Sequence, residues 1–294
     1  MESLIELRKV SKSFSREHTV LDQISIKLHK NQCVAIVGRN GSGKSTVLKM
    51  IAGLIPCSTG EIIYANHSKI GYAPEQFPKL KFTAEEYLFT MGRIQKLPKY
   101  ELKRNIIDLL NKFNLNVSYQ ITYFSKGMLQ KLNLLQAVLG NPSILILDEP
   151  LSGLDANSRK ELIAMLQTFK DQGITIIMSC HENSLLDEIA DRVIVIKDGK
   201  VHTDNPNTQL NESLFKIIYS NDQMLEVIPI SNCINSEFIL THNNENELIL
   251  KEEHRDSVLL QLLQHNYSII SVMKEIRRRS VLELTSNDRE EESS

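Results

Sequence analysis

The run GRNGSGKST, residues 38–46, sets Gly38, Gly43, Lys44 and Ser45 in the spacing G-x-x-x-x-G-K-[ST]. Glycines at these places let successive backbone N–H groups curl around phosphate oxygens, and the helix that follows offers its positive end. Lys44 then reaches the β- and γ-phosphates, and Ser45 can ligate Mg²⁺. The candidate cradle is Gly38, Asn40, Gly41, Ser42, Gly43, Lys44, Ser45 and Thr46. Further along, ILILDEP ends an apolar run in Asp148-Glu149. Carboxylates at the C-terminal edge of a parallel sheet stand where open α/β sheets bind ligands. Asp148 is suited to holding Mg²⁺ through water, and Glu149 to orienting or deprotonating an attacking water. Read alone, Asp148 would be a cap for the next segment; the phosphate loop upstream favours the catalytic reading. SCHE places His181 just after another apolar run, beside the same edge, in reach of a γ-phosphate.

An alternating frame must carry these residues. LIELRKV, LDQISIKL and QCVAIVG read as short strands, the last running into the glycine-rich turn. A helix from about Lys44 to Leu54 follows, stopped by Gly53 and Pro56. Residues 83–114 read as helical with a break at Pro98. A helix over 126–139, with Met128, Leu132, Leu135 and Leu139 at helical spacing, precedes the strand SILILD, the helix SRKELIAMLQTFKDQ and the strand ITIIMSC. This order argues for a parallel sheet with helices on its faces. DRVIVIKDGKVH turns back through Asp198-Gly199 as a hairpin. The 126–139 helix starts oddly, because Ser125 and Gly127 leave backbone N–H groups bare on a small surface that could receive an anion.

Composition turns polar and turn-rich over 204–222, which places a boundary between a unit of residues 1–215 and a smaller α+β unit of residues 222–288. The smaller unit reads as strands SEFILTH and NELILKE, helix RDSVLLQLLQHN and strand YSIISVMKEI, with 289–294 a disordered tail. Of the 294 residues, 41% are hydrophobic and 24% charged, the balance of a folded globular chain. A net charge of −2 supplies no electrostatic footprint for nucleic acid. MESLIELRKV lacks the cationic start and apolar core of a signal peptide, and no apolar run reaches the ~18 residues of a membrane span. Cys33, Cys57, Cys180 and Cys233 are scattered without CxxC pairing, which argues against a disulfide framework or zinc site and for a reduced, cytoplasmic setting.

Together the segments resemble the ATP-binding cassette (ABC) ATPases. GRNGSGKST is similar to their Walker A, ILILDEP to their Walker B, FSKGM to their LSGGQ signature and LSGLD to their D-loop, while His181 falls on their switch histidine. The resemblance covers residues 4–215 in matching order. It implies an α/β P-loop NTPase fold with a β-rich N-terminal subdomain, a helical subdomain at about 78–140 and the small α+β accessory domain after it. It further implies that Phe14 stacks on adenine, where the alternative is a strand residue packed into the core. Asp155 would communicate between nucleotide sites, serve as a helix N-cap, or both. In YAPEQF the family's Q-loop glutamine is replaced by Glu75, with Gln76 next; either Glu75 serves Mg²⁺ and water, or the register slips by one. Lys126 replaces the first signature glycine.

SKGM together with PE resembles the cassettes of ABC-2-type exporters, which include drug and antimicrobial-peptide resistance systems. That resemblance implies an ATPase docked on a separate multi-span permease, peripheral to the inner face of the cell membrane. Two cassettes, as a homodimer, would bury two MgATP between them, each touching Lys44, Ser45, Asp148, Glu149 and His181 of one chain and Ser125–Gly127 of the other. Hydrolysis of the γ-phosphate would drive export. The rivals are a soluble ABC ATPase of translation or DNA repair, and an importer cassette. The first usually carries two cassettes or a long coiled-coil insertion; the second is disfavoured by SKGM, PE and the appendage. Arg277–Arg279 reads as a solvated face or permease-proximal charge.

Overall fold

The computed structural model describes residues 3–15, 18–66, 68–115, 119–181, 183–207, 211–220, 237–240 and 245–278. Two compact units emerge, a first running to Asn207 and a second formed by Thr208–Arg279.

In the first unit, β1 (Ser3–Ser13), β2 (Thr19–His29) and β4 (Thr59–Tyr64) form an antiparallel sheet in the order β2-β1-β4. A six-stranded sheet runs β5-β6-β7-β3-β8-β9 and uses β3 (Cys33–Val37), β5 (Ile70–Ala73), β6 (Ile144–Leu147), β7 (Thr175–Ser179), β8 (Arg192–Lys197) and β9 (Lys200–Pro206). Its pairings are parallel except β8 with β9, the hairpin at Asp198-Gly199. CVAIV, ILIL and TIIMS are buried at every position, as a sheet covered on both faces requires. One core joins both sheets through α1 (Lys44–Ile51): Val47, Leu48, Met50 and Ile51 pack with Ile5 and Leu7 of β1 and with Ile36, Ile146 and Ile177.

The helical stretch breaks at Pro98 into α2 (Ala84–Ile94) and α3 (Lys99–Lys112). Thr83 and Glu86 close a reciprocal capping box at the start of α2. Then come α4 (Lys126–Val138), α5 (Ala156–Asp171) and α6 (Asn183–Glu188). Sequence spacing predicts an amphipathic α4, yet the helix is buried on most sides, Leu129, Leu134, Gln130 and Asn133 included. It lies against β5 and against α2 and α5, so it has little water-facing side. Two short strands, β4 and β5, are absent from the sequence reading: β4 shows no alternation of burial, and β5 alternates over only four residues.

The second unit is an antiparallel sheet in the order β11-β12-β10-β13, from β10 (Asn211–Ser220), β11 (Glu237–Leu240), β12 (Glu245–Lys251) and β13 (Ser268–Arg278). Helix α7 (Arg255–Gln264) contributes Val258 and Leu262 to a core with Ile217, Tyr219, Leu248, Leu250 and Tyr267. The expected boundary at 215–222 falls on β10. Polar Asn, Glu and Ser at its ends dominate the local composition, while Phe215, Ile217 and Tyr219 alternate inward. Cys233 and the tail 289–294 lie outside the described residues. No helix among the described residues is long and apolar enough to cross a membrane.

Candidate functional site: a glycine cradle facing Asp148, Glu149 and His181

The phosphate loop leaves β3 at the middle of the six-stranded sheet, with β7 on one side and β8 on the other. Gly41 and Gly43 have φ of 83° and 103°, a region costly for residues with a Cβ. At Gly43 a Cβ would also lie 2.5 Å from Leu21 Cδ2, so glycine is required on both counts. Gly43 is the N-cap of α1 and supplies no side-chain acceptor, which leaves the first N–H groups of α1 for a phosphate. The Lys44 ammonium folds back over the loop, donating to the carbonyls of Gly38 at 2.9 Å and Arg39 at 3.2 Å. Burial lowers its pKa, while Glu149 and Asp148 pull in the opposite direction.

Asp148 follows β6 and lies across from the loop. Its Oδ1 accepts the hydroxyl of Ser45 at 2.9 Å and that of Ser179 at 2.8 Å. Ser179 Oγ in turn accepts the N–H of Glu149 at 2.9 Å. Glu149 holds φ at 46°, a left-handed conformation that costs a non-glycine residue about 1–3 kcal/mol and tends to mark working sites. The hydrogen bond from its N–H to Ser179 offsets part of that strain. Its carboxylate Oε1 comes within 2.8 Å of His181 Nε2, just past the end of β7. The fold thus gathers Lys44, Ser45, Asp148, Glu149 and His181 at one edge of the parallel strands.

Ser179 is the residue that the sequence reading passes over, although it is the first residue of SCHE. Only the sheet order, which inserts β7 between β6 and β3, makes it the bridge between Asp148 and Glu149. Ser179→Ala should cost about 1–3 kcal/mol by stripping a partner from the buried Asp148 carboxylate and one from the half-buried Glu149 N–H. Turnover should fall about tenfold as Glu149 loosens. Thermal melting and kcat measure the two effects; unchanged turnover would remove Ser179 from the site.

A hydroxyl and a carboxylate are the hard oxygen donors that Mg²⁺ takes, and Ser45 and Asp148 meet at hydrogen-bond distance beside the cradle. Among the described residues no group of three His, Cys, Asp or Glu converges as a complete metal cage. Glu75 is exposed two residues past β5, and its carbonyl is engaged by Gln130. Among the described residues no hydrogen bond links its carboxylate to Ser45 or Asp148.

A second cluster lies at the start of α4. Ser125 is exposed and caps the helix, its Oγ accepting from Met128 N at 3.2 Å. A Cβ at Gly127 would lie 2.5 Å from Ser158 Oγ, so glycine lets α4 start directly on the first turn of α5. Asp155 caps α5 through Asn157 N at 3.0 Å and Ser158 N at 2.9 Å. The Ser158 backbone N–H, then its hydroxyl, hold the Asp155 carboxyl below its ordinary pKa. Lys126 reaches over Gly153, whose φ of 64° suits a residue without a side chain. Among the described residues no hydrogen bond or ion pair joins Ser125, Gly127 or Asp155 to Lys44, Asp148 or Glu149. The sequence motifs therefore form two separate clusters within one chain.

Phe14, just past β1, is 62% exposed, with Lys12 Nζ 5.1 Å from its ring centre. This corrects the alternative of a core residue: the ring is on the surface, where it can stack.

A glycine cradle, a lysine within it and paired carboxylates at the edge of a parallel sheet define a nucleotide-hydrolysing α/β protein. The ABC transporter family matches residues 21–152. An uncharacterized ABC transporter ATP-binding protein of Bacillus subtilis, YxlF, is 34% identical over 207 residues, 67% of this chain and 69% of that protein. The zinc import ATP-binding protein ZnuC of Photobacterium profundum is 31% identical, over 76% of this chain and 86% of its own. The linearmycin resistance ATP-binding protein LnrL of Bacillus subtilis is 25% identical, over 92% of this chain and 93% of its own. A solved ATP-binding subunit of an ABC transporter superposes with a TM-score of 0.63 at 28% identity, covering 70% of this chain and 91% of that one. The chain belongs to the ABC transporter ATP-binding family. It is an ATP-binding, ATP-hydrolysing subunit, of the kind that pairs with a second cassette and serves a membrane permease.

Proposed function

We propose that the chain is the ATPase of an ABC-2-type exporter, acting as a homodimer on the cytoplasmic face of the membrane beneath a separate multi-span permease. The observation that carries this reading is the alignment with the linearmycin resistance protein, which runs through 92% of the chain and so extends beyond the first unit. SKGM in place of the usual signature, PE in YAPEQF and the second unit of Thr208–Arg279 support it. A second reading, import, draws on the zinc import relative, but that alignment covers 76% of the chain.

In this reading Phe14 stacks on adenine while the 38–46 loop holds the phosphates, with Lys44 at the β- and γ-phosphates. Ser45 and Asp148 hold Mg²⁺, with Glu75 as a further ligand through water. Bound there, Mg²⁺ would supply positive charge against the phosphate oxygens. Glu149 orients the attacking water and His181 contacts the γ-phosphate. Ser125 and Gly127 of the partner cassette close over that phosphate, and Asp155 links the two sites. Loss of the γ-phosphate then weakens the dimer and resets the permease, a shift of populations driven by ligand.

Purification of the tagged chain from detergent extracts should bring down a permease of the ABC-2 type, and vesicles holding the pair should move solute outward. Recovery of ribosomes or DNA instead, or ATP-driven uptake, would sink the exporter reading.

A further inference from the structure

Helix α4 carries primary amides at Gln130, Asn133 and Gln136, three residues apart and so along one line of its surface. Gln130 and Asn133 are 5% and 1% exposed, a burial that amides tolerate only when hydrogen-bonded. Each has its partner. Gln130 Nε2 donates to the carbonyl of Glu75 at 3.1 Å, Asn133 Nδ2 to that of Pro74 at 2.6 Å, and Gln136 Nε2 to that of Tyr72 at 2.8 Å. The amides are also joined to one another, Asn133 Nδ2 to Gln130 Oε1 at 3.1 Å and Gln136 Nε2 to Asn133 Oδ1 at 3.5 Å.

The carbonyls they engage belong to β5 and the residues just past it. β5 is an edge strand whose only strand neighbour among the described residues is β6. On the β6 side, Ala73 O accepts the N–H of Asp148 at 3.0 Å. The stretch Tyr72–Glu75 is therefore gripped from two sides: by the helix that begins at Ser125, and by the backbone of the carboxylate that meets Ser45. If α4 slid past β5 alone, three amides, two of them buried, would lose their acceptors together, so helix and segment are tied.

The geometry points to a role for Gln130, Asn133 and Gln136 as positioning residues: their ladder makes the Ser125 helix and the Glu75 loop move as one body. A phosphate received at Ser125–Gly127 from the partner cassette then shifts Glu75 in the receiving chain. This inference rests on the proposed pairing of cassettes and adds the route by which each site feels the other.

The test is hydrogen–deuterium exchange on the full chain carrying Glu149→Gln, with and without MgATP, following peptides that span 72–77 and 125–130. With the ladder intact, both peptides change protection on adding nucleotide. In Asn133→Leu/Gln136→Met, 125–130 still responds, and the response at 72–77 falls at least about threefold. An equal response at 72–77 would overturn the ladder's role. Absence of any response at 125–130 with the ladder intact would instead overturn cassette pairing, and the inference with it. With Glu149 native, the ladder variant should lose about tenfold in kcat while KM stays within about twofold. A loss confined to ATP affinity, or to melting temperature with kcat unchanged, would mark the amides as structural only. Should the double variant fail to fold, Gln136→Met alone, half-buried at the far end of the ladder, should give a smaller loss of the same response; no loss there overturns the role.

Discussion

Glu149→Gln is expected to bind MgATP, to accumulate as an ATP-bound dimer and to lose about 10²–10³-fold in turnover, roughly 2.7–4 kcal/mol of transition-state stabilisation. The side chain keeps its length and shape, so the left-handed turn at φ 46° and the hydrogen bond of its N–H to Ser179 persist. What disappears is the charge that, in the proposed mechanism, orients water and accepts a proton, 2.8 Å from His181 Nε2. The neutral amide also removes a repulsion toward the γ-phosphate, which is why the bound dimer should outlive that of the native chain. Steady-state phosphate release and size-exclusion chromatography with ATP read the two effects. Near-normal hydrolysis would remove Glu149 as the catalytic carboxylate.

Ser125→Arg should leave ATP binding by the single chain unchanged yet abolish nucleotide-dependent pairing. The substitution sits on an exposed helix start with no hydrogen bond or ion pair to Lys44 or Asp148 among the described residues, so the chain's own cradle is untouched. Loss of the N-cap bond to Met128 costs about 1 kcal/mol, far from unfolding a chain of this size. The decisive effect is bulk: a guanidinium now occupies the surface that, in the proposed dimer, closes over the partner's phosphate. A fluorescent nucleotide titration and chromatography in the Glu149→Gln background separate the outcomes. An ATP-dependent dimer of undiminished stability would mean that Ser125 does not face a partner's nucleotide.

These two substitutions probe residues that are legible from the chain. Gly38, Gly43, Lys44 and Ser45 lie within one turn of loop and helix, and Asp148 and Glu149 end one apolar run, so local spacing is enough to assign their chemistry. Lys44, Asp148, Glu149 and His181 then come together because the parallel strands deliver their C-terminal ends to one edge. β10 was not legible, since its polar ends outweigh the alternation of Phe215, Ile217 and Tyr219 in any window of composition. Nor was the surface position of Phe14, which short-range pattern leaves equally open to core and solvent.

By itself the sequence determined the phosphate chemistry, the alternation of strands and helices and the helix start at Ser125, because each depends on residues within a few positions of one another. Only the tertiary structure decided that Ser179 bridges Asp148 to Glu149 and that Gln130, Asn133 and Gln136 clasp Tyr72–Glu75. Those partners are 30 to 64 residues apart along the chain and meet only when β6, β7 and α4 are laid side by side. A buried serine and three amides on one line of α4 look like ordinary polar residues until the sheet order supplies their acceptors and donors.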